Sequence, residues 1–161
     1  MSSLDLAVIG NCNYGALTDR RGRVVWCCLP HFDRDPIFCA LLGGNDAASG
    51  MFEIELVDFE RSEQSYWRNS AVLETRLFDR AGGAIAIVDF APRFLHYGRA
   101  FRPIMLVRRV RPLAGAPRIS VRLRPRHGFG ANALEVMRGS NHIRFISADR
   151  PLRLTTDAPL S

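Results

Sequence analysis

The sequence contains no lysine. All 22 of its basic residues are arginine, set against 16 acidic residues for a formal net charge of +6. We read this as genomic GC bias, because solvated surface positions accept either cation and only bidentate or stacked recognition demands the planar guanidinium. No apolar run approaches the roughly 18 residues that cross a bilayer. The opening MSSLDLAVIG carries neither a basic stretch nor a small-residue cleavage site, so the expected location is the cytoplasm. The four cysteines, Cys12, Cys27, Cys28 and Cys39, form no C-x-x-C pair. Adjacent Cys27 and Cys28 point to opposite faces of a strand, so reduced thiols are expected and zinc is not. The four histidines, His31, His96, His127 and His142, show no H-x-E or H-x-x-x-H spacing, and there is no G-x-G-x-x-G or Walker loop. Neither a metal nor a cofactor is expected.

What is present is the material of one globular domain. The chain has 161 residues, 47% apolar and 24% charged, which excludes wholesale disorder and gives a core without metals or disulfides. Period-2 alternation dominates and sustained helical periodicity is nearly absent. Residues 15–18 and 24–29 flank Asp19-Arg20-Arg21-Gly22, a hairpin with glycine at its turn. Phe52, Ile54 and Leu56 alternate with Glu53 and Glu55, marking a strand with one wet face. Residues 72–78 and 84–90 form a second hairpin through Asp79-Arg80-Ala81-Gly82-Gly83. The second of these strands is apolar on both faces, which places it centrally in a sheet. Further strands are expected at 105–111, 118–124, 134–138, 143–147 and 152–155. About nine strands at this spacing make an all-β, antiparallel sandwich or barrel. One short helix is expected over 36–42, with Pro36 at its first position and Gly43 just beyond. The domain is expected to span residues 1–156, with 157–161 the start of a linker whose continuation is missing.

The segment from Ile9 to Gly44 carries Ile9-Gly10-Asn11, Ala16-Leu17, Asp19, Gly22, Trp26, Cys28-Leu29-Pro30, Phe32-Asp33, Phe38 and Leu41-Leu42. Downstream come Ser65-Tyr66, Arg68-Asn69, Leu73-Glu74-Thr75, the run Val88-Asp89-Phe90-Ala91-Pro92-Arg93, and Leu106-Val107-Arg108-Arg109. Together, over nearly the whole chain, these resemble the N-terminal part of bacterial glycoside hydrolase family 15 proteins, which include glucoamylase-like and trehalase-like enzymes. The resemblance implies a supersandwich-like two-sheet β-sandwich preceding an (α/α) toroid of about a dozen helices. In that family two Glu residues of the toroid perform inverting hydrolysis of α-glucosidic bonds, one as general acid and one activating water. The chain is then expected to be inactive alone, with the toroid as its partner and an α-glucoside as substrate only in the intact enzyme. The family has Arg before Phe-Asp where this sequence has His31, and imidazole does not reproduce the guanidinium fork.

The loop Pro30-His31-Phe32-Asp33-Arg34-Asp35-Pro36 is the most chemically dense stretch. With Trp26 on the preceding strand, His31, Phe32 and Asp33 are candidates to border a sugar pocket, carboxylates accepting from hydroxyls and aromatics meeting C–H faces. The competing reading is a rigid turn in which Asp33 caps a helix or pairs with an arginine. Two acids on one short loop lack the separation of about 6.5–9.5 Å that inversion requires, so catalysis by Asp33 and Asp35 is not expected. Asp89, in an apolar strand, needs a partner if buried, and Arg93 or Arg109 is the expected one. Arg118, Arg122, Arg124 and Arg126 fall on one strand face opposite Ile119, Val121 and Leu123. A surface for a partner domain or for self-association is the favoured reading of this ladder, and the second of these would make the chain a homo-oligomer. Nucleic-acid binding is the weaker one, because no aromatics interleave for base stacking. A freestanding carbohydrate-binding module would display an aromatic platform, for which Tyr14, Tyr66, Trp67 and Tyr97 are the candidates.

Overall fold

The computed structural model describes residues 4–43, 47–147 and 151–160. The first three residues of the N-terminal stretch, Gly44 at the end of the motif and Ser161 of the terminal segment lie outside the described residues. In chain order the strands begin with β1 (Ala7–Gly10), β2 (Gly15–Thr18), β3 (Val24–Cys28), β4 (Pro36–Phe38), β5 (Met51–Leu56) and β6 (Phe59–Tyr66). There follow β7 (Leu73–Asp79), β8 (Ala84–Phe90), β9 (Phe94–His96), β10 (Arg99–Phe101), β11 (Val107–Ala114) and β12 (Ile119–Arg124). The last are β13 (Arg126–His127), β14 (Asn132–Ala133), β15 (Glu135–Arg138), β16 (His142–Ile146) and β17 (Leu152–Thr155). A 3-10 turn at Ala47–Ser49 is the one helical element among the described residues.

Every strand pairing is antiparallel. One sheet runs β1-β2-β3-β5-β12, with β4 added on β3, and the other runs β11-β8-β7-β6. The three-stranded sheet β15-β16-β17 and the hairpins β9–β10 and β13–β14 complete the chain. Between the large sheets Ile54 and Leu56 of β5 pack on Leu77 of β7 and on Ile85 and Ile87 of β8. Beside them Tyr14, Ala16, Val24, Cys27 and Phe38 form a second buried cluster. The all-β sandwich expected from the alternation is present, and β8 lies inside its sheet between β7 and β11, as its two apolar faces require.

Both expected hairpins form on the same device. Asp19 Oδ1 accepts from the N–H groups of Arg21 and Arg23, and Asp79 Oδ1 from those of Ala81 and Gly83. In each turn a glycine takes positive φ, 74° at Gly22 and 84° at Gly82, where a side chain would be strained. Opposite the first turn the register slips, so that Leu17 faces Trp26 and Thr18 faces Val24. The extra residue, Val25, forms a bulge. Val24 and Cys27, three apart, therefore join one cluster, while Val25 packs with Ala40 and Met51 in another. All four cysteines are free thiols, Cys12 exposed and the other three buried.

The helix expected at 36–42 does not form. Pro36–Phe38 is strand β4, with Phe38 opposite Cys27 and Pro36 opposite Cys28, and the chain then turns through a Leu42 N–H bond to the Cys39 carbonyl. Pro36 opens an edge strand, a place that needs no amide donor. Phe38 enters the core beside Cys27, while the amides of Cys39 and Ala40 both donate to the Gly50 carbonyl. Tertiary pairing overrides the local proline signal.

Asp89 is wholly buried, and its partner is Arg108 rather than Arg93 or Arg109. In register Arg108 stands directly opposite Asp89 across the β8–β11 ladder, whereas Arg109 faces the other side. Arg108 Nε and Nη2 donate to the two carboxylate oxygens at 2.8 and 3.0 Å. Its Nη1 reaches the Phe52 carbonyl at 2.9 Å, and Nη2 also reaches the Gly22 carbonyl. The guanidinium carbon lies 4.6 Å from the centroid of the Phe52 ring. One side chain thus ties both sheets together. At the β1 and β6 edges the Tyr66 hydroxyl does the same, receiving the Val8 N–H at 2.7 Å and donating to the Val8 carbonyl at 2.8 Å. On the opposite flank β11 is an edge strand interrupted by Pro112 and a register shift between Pro112 and Ala114.

Removing one member of a buried, hydrogen-bonded ion pair strands the other. Asp89→Asn is expected to lower the free energy of unfolding by about 3–5 kcal/mol, read as a reduced urea midpoint. An exposed pair supplies the control: Asp5→Asn, which weakens the contact to Arg20, is expected to leave the urea midpoint almost unmoved.

Candidate functional site

The loop expected to carry chemistry leaves β3 through Leu29–Pro30, a cis peptide, and residues 31–35 are all exposed. Phe32 is 64% exposed, yet one edge of its ring lies so close to Gly15 that a β-carbon there would sit 2.9 Å from it. The glycine opening β2 therefore seats the ring. His31 and Asp33 extend into solvent at either side of it. Trp26 is half-buried on β3, opposite Leu17 in the ladder.

Asp35 holds the loop in place. Its carboxylate accepts from the N–H groups of Gly128 at 2.5 Å and Phe129 at 2.9 Å. These belong to the β13–β14 turn, where Gly128, Phe129 and Gly130 all take positive φ and successive amides converge on one anion. Phe129 is 66% exposed. The same end of the sheet carries a third loop, residues 91–106, which rises into the β9–β10 hairpin. Asn11 in the β1–β2 turn donates from Nδ2 to the carbonyls of Pro92 (3.1 Å) and Pro103 (2.8 Å). Asn13 Nδ2 reaches the Arg102 carbonyl at 2.8 Å, and the Tyr14 hydroxyl the Met105 carbonyl at 2.5 Å. Both roots of the excursion are fastened to one turn.

The electrostatics here are those of a braced scaffold. Burial, with some help from Cys27, holds the Tyr14 phenol protonated well above its ordinary range, which suits a hydrogen-bond donor. Burial first, then Cys28, pushes Cys27 up to about 12. The thiols of Cys28 and Cys39 are also raised, by burial and then by the charge of Asp35. None of these three is activated as a nucleophile. Among the described residues no cluster of His, Cys, Asp and Glu could hold a metal ion, and no helix is long and apolar enough to cross a membrane.

The structure distributes the remaining candidates. Arg122 is engaged by Glu53 and Glu55 at 3.1 and 2.8 Å. Pro125 ends the strand, so Arg126 belongs to the β13–β14 hairpin, with its Nε on the Ala48 carbonyl at 2.6 Å. Arg118 and Arg124 are exposed. The continuous ladder read from the alternation is thus interrupted, and two of its four members are committed within the domain. Of the aromatics, Tyr14 is buried and belongs to the core, and Tyr66 is the clasp between sheets. Trp67 and Tyr97 stand exposed. Phe129 was not foreseen, although the glycines bracketing it in Gly128-Phe129-Gly130 were a readable sign of a turn that forces its side chain outward.

A second concave feature lies on the outer face of the β11-β8-β7-β6 sheet, a recess of about 420 Å³ lined by Trp67, Val72, Val88, Phe90, Arg109 and Arg111. At its margin Glu74 accepts from Trp67 Nε1 at 3.1 Å and Arg76 Nε at 2.6 Å, with Arg111 at 3.8 Å. Burial is the largest single influence on this carboxyl and opposes its ionisation. The hydrogen bonds from Arg76 and Trp67, with the charges of Arg76 and Arg111, outweigh it and hold Glu74 below the usual carboxylate range. A depressed folded-state value means that the stabilisation is complete above the unfolded value near 4.5 and is lost as the pH falls through the folded one. Glu74→Gln should therefore be less stable than the parent chain at neutral pH. The gap should close on acidification below about pH 4.5, as measured by urea midpoints across a pH series.

Comparison with known proteins adds the lineage. The family model described as Trehalase-like, N-terminal matches residues 4–158. No curated protein matches the chain, nor does any solved structure. The match takes in every strand of both sheets and all three loops at the shared end, and the chain belongs to the trehalase-like N-terminal family.

Proposed function

We propose that this chain is the non-catalytic N-terminal β-sandwich of a trehalase-like hydrolase of glycoside hydrolase family 15, spanning residues 1–156 and leading through 157–161 toward an (α/α) toroid that performs the cleavage. The observation that carries this reading is the family match over residues 4–158. Four free thiols support a reducing compartment, the cytoplasm. In this reading the loop-bearing end of the sandwich faces the toroid. His31, Phe32 and Asp33, exposed on a loop that Asp35 and Gly15 hold fixed, border the α-glucoside pocket from outside. Rigid scaffolds commonly present binding residues on such loops. His31 then offers the substrate a single ring nitrogen where a guanidinium would offer a fork.

Two measurements test it. The chain by itself should release no glucose from trehalose or maltose, and release would end the reading. In the intact enzyme Asp33→Ala should raise KM or lower kcat several-fold at an unchanged unfolding midpoint, and unchanged kinetics would remove the loop from the pocket.

A freestanding carbohydrate-binding role draws on one observation, the half-exposed Trp67 above the recess of Val72, Val88 and Phe90. It requires that trehalose or maltose shift the tryptophan fluorescence of the chain, with Trp67→Ala abolishing the shift. A flat titration would leave the recess without a sugar.

A further inference from the structure

We propose that the β9–β10 hairpin is a preformed docking arm that seats in an acidic, apolar-walled recess on the catalytic domain. The inference rests on the reading above for the identity of that partner, and on separate observations for the arm. Its roots are overdetermined: Asn11 and Tyr14, both buried, with Asn13, fix four carbonyls at Pro92, Arg102, Pro103 and Met105. Arg93 adds a contact to Cys12 Sγ at 3.1 Å. Beyond the roots, the polarity is inverted. Phe94 and Phe101 stack at 5.0 Å between centroids, His96 meets Phe94 edge-on at 6.4 Å, and Tyr97 lies against His96 at 4.4 Å. Yet Phe94, Leu95, Tyr97 and Phe101 are all exposed, Tyr97 at 93%. These aromatics are ordered against one another, and Phe94 and Phe101 still leave about half of their surface in solvent, at 48% and 51%.

The tip breaks a local rule. Tyr97 and Gly98 have φ of 48° and 73°, the two-residue turn whose positions favour Asn and Gly. A bulky aromatic at positive φ is strained, and here it gains no burial in return. Strain without an internal return marks a position kept for contact outside the fold. Rigid, exposed aromatics held in their bound geometry are what interface anchors consist of, since little freedom is lost on binding.

Charge selects the kind of partner. No Asp or Glu occurs between Asp89 and Glu135. The arm is flanked by Arg93, Arg99 and Arg102 with no carboxylate of its own, and it complements an acidic surface. A sugar-cleaving toroid offers one, because its chemistry concentrates carboxylates at the pocket.

The test places a photo-reactive benzoylphenylalanine at position 97, and separately at position 32, of the intact two-domain protein. Cross-linked peptides are then mapped with and without phosphatidylglycerol vesicles. Position 97 should cross-link within its own chain to an Asp- or Glu-bearing segment of the toroid. Cross-linked dimers would overturn the arm's assignment in favour of a second copy, and capture of lipid would overturn it in favour of a membrane surface. Cross-linking to the toroid from position 32 but not 97 would overturn the arm while leaving the domain reading intact. Silence at both positions would sink both. As a second readout, Leu95→Ala with Tyr97→Ala should leave the unfolding midpoint of the present chain unmoved, because neither side chain is buried in it. The intact protein is expected to unfold in one transition, and the same pair should split it into two. A single transition retained in the variant would overturn the proposal.

Discussion

A carboxylate and a guanidinium sealed between two β-sheets neutralise each other, and the relation of the sheets follows from where the guanidinium sends its donors. Arg108 meets Asp89 through two of them and the Phe52 and Gly22 carbonyls through the others. It joins the β8–β11 ladder to β5 and to the β2–β3 turn. A sheet slipped by one residue would turn Asp89 outward and leave Arg108 alone in the core, because the side-chain period is two. Burying such a pair gains little over apolar packing, and its value in this fold is register. In a chain whose cations are all arginine, this is the position where lysine would fail, since an ammonium lacks the planar fork that serves a carboxylate and two carbonyls at once.

The fold so fixed has unlike ends. At one end the loops are joined through backbone groups in two pairs, 30–36 to the β13–β14 turn by Asp35 and 91–106 to the β1–β2 turn by Asn11, Asn13 and Tyr14, while Phe32, Phe129 and the aromatics of the β9–β10 hairpin are exposed. The internal economy of that end is complete in its main chain and unfinished in its side chains. The β1–β6 edge is fastened by Tyr66. The outer face of the β11-β8-β7-β6 sheet combines Ala84, Ala86 and Val88 of β8 with charged neighbours, and Glu74 there is already paired with Arg76 and hydrogen-bonded by the Trp67 indole. Exposed apolar side chains stand at the loops, in Phe32, Leu95, Tyr97 and Phe129, and also on strands, in Ile119 and Val121 of β12 and Val136, Met137 and Ile146 of β15 and β16.

Much of this was legible in the sequence, for a simple reason: strands with one wet face announce themselves by alternation. Phe52, Ile54 and Leu56, the all-apolar β8, and both Asp-to-Gly hairpins lie where the pattern put them. Strand β6 escaped because Phe59–Tyr66 is polar on both faces between its two aromatic ends. It is an edge strand, and edges are kept polar so that they do not recruit other chains. The helix expected at 36–42 failed because a proline start and a glycine stop are local signals, whereas Phe38 had a place beside Cys27. Asp89 was rightly judged to need an arginine, but choosing Arg108 over Arg93 or Arg109 required the register of β11. The loop 30–36 stood out by composition. What joins it to Gly128 and Phe129 is separated from it by some ninety residues, and no periodicity reports a contact of that range.

Pro112 gives the open flank its character. A proline in β11 has no N–H to offer to either side, and the register shift after it interrupts the regular alternation of the edge. An extended peptide approaching that side would find a broken row of hydrogen-bonding groups, so strand-by-strand growth into fibres is discouraged there. Whatever assembles along this flank must recognise it by the shape and charge of its side chains, and the attachment is then reversible by salt and by single substitutions in a way that a continuous added strand would not be.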